Sequence, residues 1–171
     1  MTGTTPSSYQ ANVWLSYHQL QIRDANELGP DFPDRFDNGL ITVADKPDGA
    51  TILTGISIGP VEVTVQLTEE LPPPNLDSWE EIVEVSIEST SGSLIVCGLD
   101  GDLPNLPNLA WHGKGFYRLR VHVRGRDTRP DGSVSAPVEH YLISSSPAEP
   151  QPAMSIKHAD MFGTGIRRRH G

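Results

Sequence analysis

A chain of 171 residues with 36% apolar and 6% aromatic content, 16 glycines and 15 prolines can bury one core but is punctuated too often for a bundle of long helices. Its formal charge of -9 is unevenly distributed: residues 1 to 110 hold 17 acidic against 3 basic side chains, and residues 111 to 171 hold 5 against 10. A surface given over to nucleic acid would be net basic, so direct nucleic-acid binding is disfavoured, whereas an acidic front suits a basic protein partner.

The opening "MTGTTPSSYQ" has neither the basic start nor the apolar run of a signal peptide, and no stretch approaches the ~20 apolar residues of a membrane span. Residues 1–11 are expected to be a flexible N-terminus. The one cysteine, Cys97, rules out an internal disulfide framework and a multi-thiolate metal site, and suits a reducing cytoplasm.

The segment "NVWLSYHQLQI" at 12–22 sets Val13 and Leu15 on one parity and Leu20 and Ile22 on the other. Its periodicity predicts one core strand, with a bulge or burial on both faces near Tyr17. "RDANELGPDFPDRFDNG" follows as a polar, proline-broken loop with room for a helical turn at residues 32–36. "GLITVAD" and "GATILTGIS" then predict a hairpin across "KPDG", whose Pro-Asp-Gly order suits a tight turn.

Strict alternation in "PVEVTVQLT" turns Val61, Val63, Val65 and Leu67 inward; "EEIVEVSIES" does the same for Val83, Val85 and Ile87, leaving Glu84, Ser86 and Glu88 outward. "GFYRLRVHVRG" buries Tyr117, Leu119, Val121 and Val123 and lines its outer face with Arg118, Arg120, His122 and Arg124. Such a basic face could grip phosphates, but the matching outward glutamates Glu62, Glu84 and Glu88 favour pairing across strands. "ELPPPNLDSW" and "GLDGDLPNLPNLAWHGKG" read as loops, and "PVEHYLISSS" as the last strand.

With no amphipathic helix of crossover length between them, these strands predict an all-β fold: an antiparallel β-sandwich of about 7–9 strands. The domain is expected to span residues 12–146, with residues 147–171 a flexible C-terminal tail.

None of the chemical constellations is compelling. The six histidines show no pair at metal-ligand spacing; His18 and His140 could meet a carboxylate only across strands. Asp100 with Asp102, or Glu80 with Glu84, would imitate a glycosidase pair only if they flanked a cleft. Asp100-Gly101-Asp102 is turn chemistry without the later ligands of a calcium loop. The serines of "STSGS" and "SSS" lack a nucleophile elbow. No catalytic residue, metal or cofactor is expected, and His18 with Tyr17 and Gln19 reads as a structural group held by side-chain hydrogen bonds.

Four stretches, "LSYHQ" at 15–19, "GLITVADKPDGATILTG", "GFYRLRVHV" and "EHYLIS", together resemble the competence protein J family of bacteria, the inhibitors of the DNA-entry nuclease, over roughly residues 13–145. The resemblance implies a small acidic protein that binds a secreted or membrane-associated DNase and is not itself an enzyme. The expected partner is thus a protein, a nuclease or toxin, met through Asp31, Asp34 and Asp37 of the long loop and Glu80, Glu81, Glu84 and Glu88 around Trp79. The second expectation is a regulatory or assembly component that docks onto a larger complex through residues 147–171. Oligomeric state is left open.

Overall fold

The computed structural model describes residues 7–45, 49–99 and 103–170, so the centre of the "KPDG" turn and the Asp100-Gly101-Asp102 triplet lie outside the described residues. The rest is mostly β, with ten strands and one short helix. They run β1 (Ser7–Leu15), β2 (Gln19–Arg23), β3 (Ile41–Ala44), β4 (Gly49–Leu53), β5 (Gly59–Leu67), β6 (Glu81–Ser89), β7 (Ile95–Gly98), β8 (Gly115–Arg124), β9 (His140–Pro147), β10 (Met154–His158) and α1 (Met161–His170).

Two sheets form, one of six strands in the order β1-β5-β9-β8-β6-β10 and one of four in the order β3-β4-β2-β7. All pairings are antiparallel except β5 with β9, so the larger sheet is mixed rather than purely antiparallel as expected. The inward residues of β5, β6 and β8 behave as their alternation predicts. Val61, Val63, Val65, Val83, Leu119 and Val121 join Leu20, Ile22, Ile52 and Val96 of the smaller sheet in one core cluster. Gly98 marks where β7 crosses β1: a Cβ there would overlap the Trp14 carbonyl oxygen, so only glycine allows the approach.

The first predicted strand is in fact two. Tyr17 and His18 have φ of 56° and 60°, and the Gln19 amide donates to the Ser16 carbonyl, making a two-residue turn between β1 and β2. The change of parity at Tyr17 is this turn. It went unseen because left-handed turns normally advertise themselves with Asn or Gly, and a non-glycine there costs about 1–2 kcal/mol per residue. No helical turn forms at residues 32–36.

Both chain ends also depart from expectation. Residues 7–11, read as flexible, continue β1 in register with β5. Residues 154–170, read as a tail, supply β10 at the edge of the larger sheet and α1 beyond it. Asp160 caps α1 by accepting from the Gly163 amide at 2.7 Å, Asp127 accepts from the Met161 and Phe162 amides, and four basic residues occupy the last turn. These signals were present in the sequence, masked by two glycines inside the helix. Gly163 is explained by packing, since a Cβ there would stand 2.7 Å from Arg126 Nη2 and 2.8 Å from Arg167 Nη1.

The outer face of β8 is covered rather than open to solvent. Arg118 and Arg120 both donate to Glu84 across the strand pair, at 3.2 and 2.9 Å, as the opposed charges predicted. Their remaining donors reach the Gln151, Pro152 and Pro72 carbonyls. Proline-rich segments have few amides with which to occupy their carbonyls, so they suit capping buried guanidinium groups. Trp79 completes the cover, its ring 5.4 Å from that of His122 and 4.8 Å beneath the Arg124 guanidinium.

His122, enclosed in this layer, donates from Nδ1 to the Leu142 carbonyl, 2.9 Å away. Burial pushes its pKa down from 6.5 to about 4, with the Leu142 contact opposing and the Arg120 charge assisting. Because the folded value lies below the unfolded one, its contribution is complete above pH 6.5 and drains away as pH falls toward 4. Urea titrations should therefore show about 3 kcal/mol of stability lost over that window, and His122→Gln should flatten the dependence. An unchanged slope in the variant would assign the effect elsewhere.

Candidate protein-binding surface

Around α1 a buried charge network ties the C-terminal segment to β4, β6, the 31–40 loop and Arg126 just after β8. Arg126, fully buried, donates to both oxygens of Asp160 at 2.7 and 3.0 Å and to the Gly39 and Leu53 carbonyls. Burial works against its charge, but the Asp160 hydrogen bonds and charge outweigh it and raise the pKa. Glu81, also fully buried, accepts from Arg167 Nη1 at 2.6 Å and from the Ala159 and Asp160 amides, and lies 3.4 Å from His158 Nδ1. Beside them Glu139 accepts from the Gly55 and Ile56 amides and the Tyr141 hydroxyl; burial raises the pKa of both side chains.

This network fixes α1 against the 31–40 loop. Phe36, Leu53 and Ile166 form a second apolar cluster with Phe162, the Phe36 amide donates to His170 Nδ1 at 2.8 Å, and Arg35 reaches the His170 carbonyl. At the mouth lies a cleft of about 440 Å³ lined by Phe32, Met161, Phe162, Arg169, His18 and Asp131, among others. His18 comes from the strained β1–β2 turn; its Nδ1 meets the Thr54 carbonyl at 2.7 Å and its Nε2 meets Asp131 Oδ1 at 3.2 Å. Asp131 is itself at φ 59°, so three left-handed residues meet at one end of the molecule.

Both ring nitrogens of His18 are engaged by protein acceptors, and the Thr54 hydroxyl donates to the Ile56 carbonyl. His140 pairs separately, with Glu62 at 2.9 Å. Among the described residues no three His, Cys, Asp or Glu side chains are placed to share a metal ion, and no helix is long and apolar enough to cross a membrane.

The expected contact residues divide sharply. Asp31, Asp34 and Asp37 are exposed on the loop, Asp37 at 2.9 Å from Arg35 Nε, and Glu88 is exposed on β6. Glu80 is half-buried and accepts from the Gly125 amide at 2.7 Å. Glu81 and Glu84 are corrected: the first is fully buried and the second has a side chain only 13% exposed, each consumed by arginines of its own chain. Alternation placed Glu84 outward but could not show that a proline-rich segment covers that face. Phe32, Met161 and Asp131 were missed, because exposed apolar residues and turn strain leave no periodic signal.

Turning arginines inward sharpens the outer charge. Arg118, Arg120, Arg126 and Arg167 are paired within the chain with Glu81, Glu84 and Asp160, four against three. Of 22 acidic and 13 basic residues, 19 and 9 remain for the rest of the chain, an excess of about two to one.

No family model and no curated protein matches the chain. Solved structures do. ComJ from Bacillus subtilis, an inhibitor of the DNA degrading activity of NucA, is similar with a TM-score of 0.61 at 16% identity, covering 85% of this chain and 100% of its own. A protein described as crocagin biosynthetic gene J is similar with a TM-score of 0.50 at 15% identity, over 85% of this chain and 100% of its own. At such identities, what this chain shares with the nuclease inhibitor is the fold.

Proposed function

We propose that this chain is a non-enzymatic binding protein that neutralises a nuclease or nuclease-like toxin in a reducing cytoplasm, using the exposed loop acids Asp31 and Asp34 and the aromatic cleft beside them. The observation that carries the reading is the fold likeness to ComJ, since it joins a nuclease-inhibitor scaffold to a chain that turns four of its ten arginines inward and whose acids outnumber its bases elsewhere. The two sheets act as layers of an open sandwich whose shared core gives the cleft a rigid base. Asp31 and Asp34 supply complementary potential for the basic groove in which a nuclease holds DNA, and Phe32, 47% exposed, supplies an apolar anchor between them.

The test is inhibition of a panel of purified DNases, with capture of the partner from a native lysate. Inhibition by the wild type, weakened about tenfold or more by Asp31→Asn with Asp34→Asn and again by Phe32→Ala, is the expected result. A protein that inhibits and captures no nuclease overturns the reading. Docking onto a larger complex through residues 147–171 is the weaker alternative, because Glu81, Arg126 and the 31–40 loop already occupy residues 158–170 within the chain.

A further inference from the structure

We propose that β1 pairs edge to edge with β1 of a second copy of this chain, joining two six-stranded sheets into one across a twofold axis. Natural sheets protect their edges by shortness, charge, proline or bulges, because an exposed edge is a row of unpaired amides and carbonyls. Three of the four edges here are protected. β3 and β7 have four residues each, and β10 has five, with a register shift between Ser155 and Lys157 and a lysine in it.

β1 has none of these devices. It is nine residues long, pairs with β5 one to one from Ser7 to Leu15 without a bulge, and contains no proline, glycine or charged residue. The first Asp, Glu, Lys or Arg of the whole sequence is Arg23. Two aromatic side chains stand out from the strand into solvent, Tyr9 at 46% and Trp14 at 56% exposure. Among the described residues no strand pairs with its outer edge. The crossing of β7 at Gly98 occupies the backbone of Trp14 and Leu15, so the open edge is residues 7–13.

The neutral strand identifies the occupant. Two copies of a chain with charge -9 repel one another, and a neutral strip is where they can meet. In a twofold antiparallel pair any charge on the strip would stand near its own copy, which is unfavourable. A strand built to receive a basic segment of another protein would instead gain from the acidic residues used freely elsewhere in this chain. Pairing centred on Gln10 sets Tyr9 of one copy beside Ala11 of the other, giving an aromatic cross-strand contact in addition to the backbone hydrogen bonds. This pairing is independent of nuclease binding.

Sedimentation velocity on the full chain over about 1 to 200 μM tests it, the standard reach for modest interfaces. The expected result is a concentration-dependent shift from 18.6 kDa to twice that mass. Ser8→Asp with Gln10→Asp should weaken the dimer about tenfold or more while leaving the circular dichroism and melting temperature unchanged. Gln10→Cys, in a chain whose own Cys97 is buried, should form a disulfide-linked dimer under mild oxidant, which keeps the test intact if the aspartate variant misfolds. A wild type that stays monomeric with a Gln10→Cys variant that does not cross-link overturns the proposal, as does a dimer indifferent to the aspartates. A monomer whose capture of another protein is lost on the aspartate substitution also overturns it, by giving the edge to a foreign strand.

Discussion

Arg126→Met should destabilise the protein by about 3–5 kcal/mol, because removing one partner of a fully buried ion network leaves the others charged and unpaired. Asp160 would lose both guanidinium contacts, the Gly39 and Leu53 carbonyls would lose their donor, and Glu81 would keep Arg167 as its arginine partner. Chemical denaturation measures the total, and hydrogen exchange locates it, with the largest loss of protection expected in residues 154–170 and the 31–40 loop. The proposed partner binding should fall with it, since α1 holds that loop. A loss under about 1 kcal/mol would show that the network is not what fixes the helix.

Raising ionic strength from about 0.05 to 0.5 M should slow association with the partner at least tenfold and change dissociation far less, because the screening length shrinks from roughly 13 Å to roughly 4 Å. Asp31→Asn with Asp34→Asn should reproduce part of the high-salt rate at low salt, and Glu88→Gln should add to it if the β6 face also steers the encounter. Stopped-flow association at several salt concentrations measures both. Glu84 is the wrong residue for this experiment, although it points outward in the strand. Glu84→Gln would strip the shared carboxylate from Arg118 and Arg120, whose side chains are only 5% and 8% exposed, and would report stability instead of steering. A salt-independent association rate would shift the mechanism to apolar docking at Phe32 and Met161.

The sequence by itself determined the strands that alternate. β5, β6 and β8 must bury one face, and period two in Val, Ile and Leu reports it directly, as does the cross-strand match of Glu84 with Arg118 and Arg120. It likewise determined that Asp31, Asp34 and Asp37 of the long loop stay exposed, but not that Phe36 among them is buried. Tertiary structure decided the rest, and each time through contacts distant in the chain. The Tyr17 and His18 turn has no glycine or asparagine to announce it and is held instead by the Thr54 carbonyl and Asp131. The parallel match of β5 with β9 spans residues too far apart for local pattern to pair. Residues 154–170 have little apolar periodicity of their own; their order comes from Arg126, Glu81 and Asp127, which complete charges and helix-end amides that a tail in solvent would leave to water. The same burial withdrew Glu81 and Glu84 from the surface, because an alternating strand shows which way a side chain points and not what another segment lays over it.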